Sequence, residues 1–249
     1  MIRKLLTTTF SIVLLTTSFA AQADDTGTVL ITGANRGIGL ELARQYADAG
    51  WEVIGTARKP ASAEDLNALD IRVVQLDVTD AASVAAMAAS LDGIAIDVLI
   101  NNAGIMMNVG SIDEVDFDEY ARVLNVNTIG PARVTQALMP NLRAGEMKKI
   151  LNTTSGLGSI EDNRSGGFFG YRESKAALNM FTVTLARSLA SDGFTCVVMN
   201  PGWVRTDMGG PNAPTSVQQS AAGIRSVISN ITPADSGTFW NFQGGNEPW

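Results

Sequence analysis

Short apolar segments alternate with longer amphipathic segments along most of the chain. The short segments are rich in β-branched residues and have the length of strands buried on both faces; they span residues 28–32, 51–57, 71–76, 97–100, 149–154 and 195–199. The longer segments carry apolar residues at helical spacing and span 40–49, 81–91, 120–142 and 171–190. Strands that alternate with helices are joined by right-handed crossovers. The pattern therefore predicts an α/β fold of the Rossmann type, with a doubly wound, mostly parallel sheet, helices on both faces and a single domain over residues 24–249.

The first residues have a different pattern. Arg3 and Lys4 precede an uncharged, largely apolar run over 5–20, and Ala21-Gln22-Ala23 fits a small-residue cleavage site. This predicts a secretory signal peptide over residues 1–23 and a periplasmic or secreted protein with no stable membrane span once the signal is removed. An uncleaved anchor, or a mis-assigned start codon upstream of a cytoplasmic protein, are the alternatives.

Composition excludes several classes of function. The 249 residues include no histidine and one cysteine, Cys196, so a Ser-His or Cys-His nucleophile pair and an intramolecular disulfide are excluded, and we expect no metal site. The formal net charge is −7 without a basic run, which argues against nucleic acid as a partner. The acidic residues at 113–119 fit a solvated helix start better than a metal site.

A glycine-rich turn follows the first strand. Gly33, Gly37 and Gly39 stand between the strand at 28–32 and the helix at 40–49. Glycines in this context allow a tight turn, let the backbone approach a pyrophosphate and let the helix pack on the strand. The helix N-terminus then offers free N–H groups to the phosphates, so we expect a dinucleotide site here.

Arginines occupy the positions that discriminate between the two nicotinamide dinucleotides. A unit that binds NAD places Asp or Glu after the second strand to hold the ribose 2′-hydroxyl, whereas this chain has Arg58 there and Arg36 in the glycine turn. Both can pair with a 2′-phosphate, which favours NADP(H).

Tyr171 and Lys175 lie four residues apart at the start of a predicted helix and therefore share one face. An ammonium beside a phenol favours the phenolate, so the pair predicts a tyrosine with a lowered pKa that can exchange a proton nearer neutral pH. The alternative is an ordinary solvated pair.

In combination, these motifs resemble the short-chain dehydrogenase/reductase family over nearly all of the chain from Thr28. The resemblance rests on Thr32-Gly33-x-x-x-Gly37-x-Gly39, Asn101-Asn102-Ala103-Gly104 and Tyr171-x-x-x-Lys175. A closer likeness to the carbonyl-reductase and C-factor-like branch rests on Thr56-Ala57-Arg58, the stretch 158–163 and the ending Pro248-Trp249, which also suggests a complete C-terminus. The resemblance implies a seven-stranded sheet, one strand more than the pattern locates.

The resemblance also implies roles for individual residues. Tyr171 would be the general acid, Lys175 would lower its pKa and hold the nicotinamide ribose, and Asn127, preferred over Asn125 because Gly130 follows three residues later, would fix a water in a proton relay. Ser155 would polarise the carbonyl. The cofactor-binding residues would be Gly33, Asn35, Arg36, Gly37, Ile38, Gly39, Arg58, Asp77, Val78, Asn102, Ala103, Gly104, Tyr171, Lys175, Pro201, Val204 and Thr206.

The catalytic serine departs from the family spacing. The residue 13 positions before Tyr171, where the family commonly has its serine, is Gly158. Ser155, at the end of the fifth strand, is the preferred candidate and requires a loop insertion; Ser159 is the alternative.

The implied function is NADPH-dependent reduction of an aldehyde or ketone to an alcohol. Residues of the loops expected at the pocket suggest an apolar or aromatic substrate, although they fit a loop core equally well: Met106, Met107, Phe168, Phe169, Trp203 and Met208. The alternative is an NAD(P)-binding signalling or regulatory protein on the same scaffold, since fold does not fix function.

Overall fold

The structure, a computed structural model, describes residues 26–249, so the predicted signal peptide lies outside the described residues. One sheet of seven strands forms the centre, in the order β3-β2-β1-β4-β5-β6-β7, and every neighbouring pair is parallel. The doubly wound prediction is confirmed. The strands are β1 Thr28–Ile31, β2 Glu52–Ala57, β3 Arg72–Gln75, β4 Val98–Asn101, β5 Lys149–Thr153, β6 Thr195–Asn200 and β7 Phe239–Asn241.

Eight α-helices of the described residues accompany the sheet: α1 Gly37–Asp48, α2 Glu64–Asn67, α3 Ala81–Ser90, α4 Phe117–Leu124, α5 Gly130–Ala137, α6 Met139–Ala144, α7 Tyr171–Ser188 and α8 Val217–Asn230. Two apolar cores result because successive strand residues point to opposite faces. In β1, Val29 and Ile31 pack with α1 and α8, whereas Leu30 packs with α3, α5, α6 and the end of α7. Both faces of the sheet are therefore covered.

The prediction of one continuous helix over 120–142 is wrong. The segment forms α4, a π-helical turn Asn125–Ile129, α5 and α6. Pro131 and Pro140 stand at the starts of α5 and α6, where a proline lacks the N–H that a continuous helix requires. The π turn leaves Asn127 fully buried.

Two further sequence expectations are resolved by the fold. The acidic stretch is a helix start, because the Asp116 carboxylate accepts hydrogen bonds from the Asp118 and Glu119 amides at 2.9 and 3.2 Å and caps α4. Cys196 stands in the apolar run 194–199, which predicts a buried strand thiol, and it is buried in β6. Over residues 26–249, no helix combines the length and apolar character of a membrane span.

The strand order reverses at β1, whose neighbours are β2 on one side and β4 on the other. The crossover connections leave in opposite directions from this point, so a crevice opens beyond the carboxyl ends of β1 and β4. The motifs that follow β1, β4, β5 and β6 are all brought to this edge of the sheet.

Candidate active site

The glycine turn after β1 is shaped by close backbone contacts. Gly33 and Gly37 have φ of +64° and +55°, in the left-handed region that L side chains rarely adopt. A Cβ on Gly33 would lie 3.0 Å from the Cα of Ala103, and a Cβ on Gly39 would meet the Gly33 carbonyl. Of the described residues, none caps α1 with its side chain, so the first-turn N–H groups are free to meet an anion. The turn therefore has the form of a phosphate cradle, with Ala34 buried and Asn35 exposed on it.

Thr32 is a site residue that sequence reasoning did not place on the site. Its hydroxyl accepts hydrogen bonds from the Asn102 and Ala103 amides at 2.9 and 3.0 Å. The Asn102 side-chain amide donates two hydrogen bonds, to the carbonyls of Thr32 and Gly33 at 3.0 and 3.2 Å. Together they fix the end of β4 against the glycine turn. The available signal was a polar residue at the end of β1, opposite the Asn-Asn-Ala-Gly stretch.

Arg36 and Arg58 are both exposed, on the glycine turn and after β2. The Arg36 guanidinium lies 3.2 Å from the carboxylate of Asp207. After β3, hydrogen bonds from the Thr79 hydroxyl and amide hold the pKa of Asp77 below its usual value, and the charge of Arg58 acts in the same direction. Arg58 and Asp77 are thus neighbours at the outer end of the crevice.

Gly130 lets α5 approach the loop after β3. A Cβ at Gly130 would lie 2.8 Å from Cγ2 of Val78. Val78 is buried and packs directly against the start of α5. Gly130, three residues after Asn127, is thus needed for the close packing of α5 on Val78.

The loop after β6 closes back on the glycine turn. A Cβ at Gly37 would lie 3.3 Å from Cγ2 of Thr206, whose hydroxyl accepts from the Gly209 amide at 3.1 Å. Val204 is buried and bridges to Thr215, and the Pro201 carbonyl accepts from Ser220 at 2.8 Å. Thr206 therefore lies against the glycine turn, and Val204 precedes it in the same loop.

Tyr171, Lys175 and Ser155 meet at the carboxyl end of β5. Tyr171 is the first residue of α7, and the Lys175 Nζ lies 5.7 Å from the centre of the phenol ring. Lys175 donates to the Thr153 carbonyl at 2.8 Å, which ties the helix to the strand end. The Ser155 hydroxyl accepts from the Leu157 amide at 3.1 Å and lies close enough to the phenol to lower its pKa. A phenol, an ammonium and a hydroxyl therefore converge on one point.

The pKa values of this group differ from the sequence expectation. Burial raises the pKa of Tyr171 to about 12, and the nearby Ser155 hydroxyl opposes this shift only in part. Burial also lowers the pKa of Lys175 to about 8. The expectation of a lowered tyrosine pKa is wrong for the protein alone, because loss of hydration on burial raises this pKa. At neutral pH the phenol is a neutral proton donor.

Asn127 connects the loop after β4 to α7. Its amide donates to the Ile105 carbonyl at 2.8 Å and to the Ser174 hydroxyl at 3.0 Å, and its oxygen accepts from the Ile105 amide at 2.9 Å. A Cβ at Gly104 would lie 3.4 Å from the Asn127 oxygen and 3.7 Å from the Lys175 Nζ, so these two side chains are neighbours. The Asn125 side-chain oxygen instead accepts a hydrogen bond from the Arg133 guanidinium at 2.7 Å.

Ser159 is engaged elsewhere. Its hydroxyl donates to the Trp249 carbonyl and accepts from the Asp162 amide, both at 3.1 Å, and its side chain is buried. The geometry therefore favours Ser155 as the hydroxyl beside Tyr171.

The residues expected at the substrate pocket divide into two groups. Met107 is buried, with its sulfur 3.1 Å from where a Cβ of Gly170 would stand, so it supports the loops. Phe168 and Phe169 are half-buried just before Tyr171. Trp203 and Met208, in the loop after β6, are 59% and 45% exposed, and Met106 is half-buried in the loop after β4. These partly or largely exposed apolar side chains thus stand in three loops, after β4, before α7 and after β6.

The chain is similar to known proteins along most of its length. The family described as short chain dehydrogenase matches residues 27–216. C-signal of Myxococcus xanthus is 43% identical over 154 residues, which cover 62% of this chain and 93% of that protein. Carbonyl reductase Sniffer of D. melanogaster superposes with a TM-score of 0.86 at 32% identity, over 90% of this chain and 100% of the other. The NADPH-bound carbonyl reductase from chicken fatty liver gives 0.84 at 36% identity, over 90% and 99%.

Proposed function

The chain belongs to the short-chain dehydrogenase/reductase family, in its carbonyl-reductase and C-factor-like branch, and we propose that it reduces an aldehyde or ketone to an alcohol with NADPH. The observation that carries the proposal is the meeting of Tyr171, Ser155 and Lys175 at the strand edge that also holds the glycine turn. A proton donor and a dinucleotide cradle in one crevice are what carbonyl reduction requires.

The residues of the crevice fit a nicotinamide dinucleotide. The glycine turn and the N-terminus of α1 would hold the pyrophosphate, since a side chain at Gly33 or Gly39 would clash with neighbouring residues and disrupt this tight turn. Asn102, Ala103 and Gly104 would line the cleft, and Val204 and Thr206 would hold the carboxamide. The cofactor supplies a hydride to the carbonyl carbon when bound.

The protein's own part is to stabilise and protonate the carbonyl oxygen. Negative charge grows on that oxygen as the carbon is reduced, and donors fixed in advance stabilise this charge. We assign the proton to the Tyr171 hydroxyl, which is neutral because burial raises its pKa. Ser155 would donate a second hydrogen bond, and Lys175 would hold the nicotinamide ribose while Asn127 keeps a relay water in place.

The test of this proposal is NADPH oxidation with a panel of carbonyl compounds. We expect turnover of aromatic and long aliphatic aldehydes or ketones, because the loops after β4 and β6 and before α7 carry partly exposed apolar side chains. A panel that yields turnover of none of these compounds, from protein that binds NADPH, would contradict the proposed reaction.

Arg58 and Arg36 would select NADPH over NADH. Arg58→Ser should raise the Kd of NADPH about ten-fold or more, since a hydrogen bond to a charged group contributes roughly 1.5–3 kcal/mol. The Kd of NADH should stay within about two-fold, because NADH lacks the 2′-phosphate. The neighbouring exposed Lys59 provides the control, Lys59→Ser. An equal loss for both cofactors would show that Arg58 serves the fold instead.

A second candidate function is NAD(P)-dependent signalling without significant turnover. The similarity to C-signal over 62% of the chain favours it. The two candidates differ in one measurement: a signalling protein binds NADPH without oxidising it in the presence of the carbonyl panel. The presence of both Tyr171 and Lys175 supports the enzyme.

We also propose that residues 1–23 direct export and are removed. The support is the order of a basic start, an apolar run and a small-residue site in the sequence. No twin-arginine pair precedes the run, so export with the cofactor already bound is not indicated. N-terminal sequencing of the protein from its native host should begin at Asp24. A cytoplasmic product that retains Met1 would contradict export.

A further inference from the structure

Arg172 is a buried cation next to the proposed proton donor, and no carboxylate of the described residues pairs with it. Its side chain is 8% exposed, and its guanidinium makes three hydrogen bonds to neutral acceptors. Nε donates to the Gly167 carbonyl at 3.2 Å, Nη1 to the Leu157 carbonyl at 3.2 Å and Nη2 to the Ser165 hydroxyl at 3.1 Å. Buried arginines usually pair with acids, so this set of partners requires an explanation.

The partners belong to two segments that border the carbonyl site. Leu157 lies in the turn that follows Ser155, and its amide holds the Ser155 hydroxyl. Ser165 and Gly167 lie in the segment that leads to Phe168 and then directly to the catalytic helix. One side chain thus joins the serine turn to the segment 165–168.

The segment 165–168 has a backbone that needs such support. Phe168 has φ of +54°, which is uncommon for a residue with a side chain, and Gly166, Gly167 and Gly170 also have positive φ. Strained conformations of this kind persist where the surroundings hold them and concentrate at ligand sites. Arg172 supplies that hold: its amide donates to the Phe168 carbonyl at 3.1 Å, and its guanidinium carbon lies 5.9 Å from the centre of the Phe168 ring.

The serine turn does not depend on Arg172 to the same degree. The Gly158 amide donates to the Ser155 carbonyl at 2.8 Å, and Asn179 donates to the Gly158 carbonyl at 3.2 Å. A Cβ at Gly158 would lie 2.8 Å from Cβ of Lys175, so this turn is packed directly on α7. It is a fixed base on which Arg172 can anchor the more exposed segment.

We propose that Arg172 is a positioning residue that holds the Phe168 segment as a preformed wall of the carbonyl site, and that it thereby sets the preference for large aromatic carbonyls over small ones. The preference rests on the proposed function, whereas the anchoring does not. On this proposal a small aldehyde would bind beside Ser155 and Tyr171 without contact to Phe168, whereas a bicyclic aromatic aldehyde would pack against it.

The first experiment uses kcat/KM for a large and a small aldehyde to test whether Arg172 holds the Phe168 segment at the carbonyl site. Arg172→Lys retains the charge and most of the stem, but a single ammonium cannot reach three separated acceptors. We expect kcat/KM for 2-naphthaldehyde to fall at least ten-fold, mainly through KM, while kcat/KM for propanal changes less than three-fold and the Kd of NADPH less than two-fold. The control is Arg187→Lys, the same substitution at an exposed position of α7, which should change none of these values. Equal losses for both aldehydes, or no loss, would overturn the inference.

The second experiment measures the anchoring without turnover. Arg164 is exposed just before the segment and is a trypsin site. Cleavage after Arg164 under native conditions should be at least five-fold faster in Arg172→Lys than in the wild type or Arg187→Lys, because the released segment opens more often. An unchanged rate overturns the inference even if no carbonyl substrate is found. If Arg172→Lys does not fold, Phe168→Gly, which tolerates the positive φ and removes the ring, must show the same selective loss for 2-naphthaldehyde.

Discussion

Replacing Tyr171 by Phe should lower the turnover number for carbonyl reduction about 10³-fold and leave the Kd of NADPH nearly unchanged. The substitution removes one hydroxyl from a ring that is 5% exposed, so the shape of the site is retained and the proton donor is lost. Proton transfer by a positioned group contributes roughly 10²–10⁴-fold to a rate. The loss should appear in kcat, since the donor acts on charge that develops only during the reaction.

Tyr46→Phe is the matched control for this change. Tyr46 is also a buried tyrosine, but it lies in α1 among the apolar core that packs on α8, and its hydroxyl has no hydrogen-bond partner in residues 26–249. Its loss should leave kcat unchanged. Near-normal turnover in Tyr171→Phe, with folded protein and normal NADPH affinity, would refute the assignment of the proton donor.

Most of the fold could be predicted from periodicity because six of the seven strands and most of the longer helices carry their own pattern. The buried strands read as continuous β-branched runs, and the glycine turn marks the first crossover. Strand β7 was not located in the sequence because three residues, Phe239–Asn241, are too few to show a period. The break between α4 and α5 depends on Pro131 and on the burial of Asn127, which is a tertiary preference that overrides helical spacing.

Residues of the site were predictable where a motif fixes both identity and spacing, as for Tyr171 and Lys175. The choice between Ser155 and Ser159 depended on a loop insertion, and only the three-dimensional contacts of Ser159 with Trp249 show that its hydroxyl is engaged elsewhere. Arg172 stands inside the Tyr-x-x-x-Lys motif at a position of no fixed identity. Its partners lie up to 15 residues away in the chain, so no local pattern reveals them.

The pKa values of the site could not be derived from sequence, because they depend on burial. Spacing alone places an ammonium beside a phenol and predicts a lower tyrosine pKa. The structure shows both groups out of water, which shifts each toward its neutral form: the Tyr171 pKa rises and the Lys175 pKa falls. This loss of hydration has a consequence for stability as well as for catalysis.

Replacing Lys175 by Met should lower kcat/KM for carbonyl reduction at least about 100-fold and, at neutral pH, raise the free energy of unfolding. The activity falls because the site loses the group that holds the ribose and adds positive charge beside the growing oxyanion. The stability rises because a buried ammonium is unfavourable: burial lowers its pKa from 10.5 to about 8, a shift on the order of 3 kcal/mol. Loss of the hydrogen bond from Lys175 to the Thr153 carbonyl lowers the free energy of unfolding by about 1 kcal/mol and so offsets part of this gain. The net gain is roughly 2 kcal/mol, in the manner of other sites where function is maintained against stability.

The stability gain of Lys175→Met should depend on pH, in a direction that the pKa of Lys175 determines. An unfolded lysine keeps its proton up to about pH 10.5, whereas Lys175 in the folded protein loses it near 8. Between these values the unfolded state binds more protons, so the contribution of Lys175 to stability is unfavourable below pH 8 and becomes less so as the pH rises. Urea unfolding at pH 7.5 and 9.5 should therefore show that the advantage of Lys175→Met over the wild type shrinks at the higher pH. The control is Lys59→Met, a substitution at an exposed lysine, whose stability relative to the wild type should be the same at both pH values. An advantage that stays constant or grows with pH would mean that Lys175 is not held as a destabilised cation beside Tyr171.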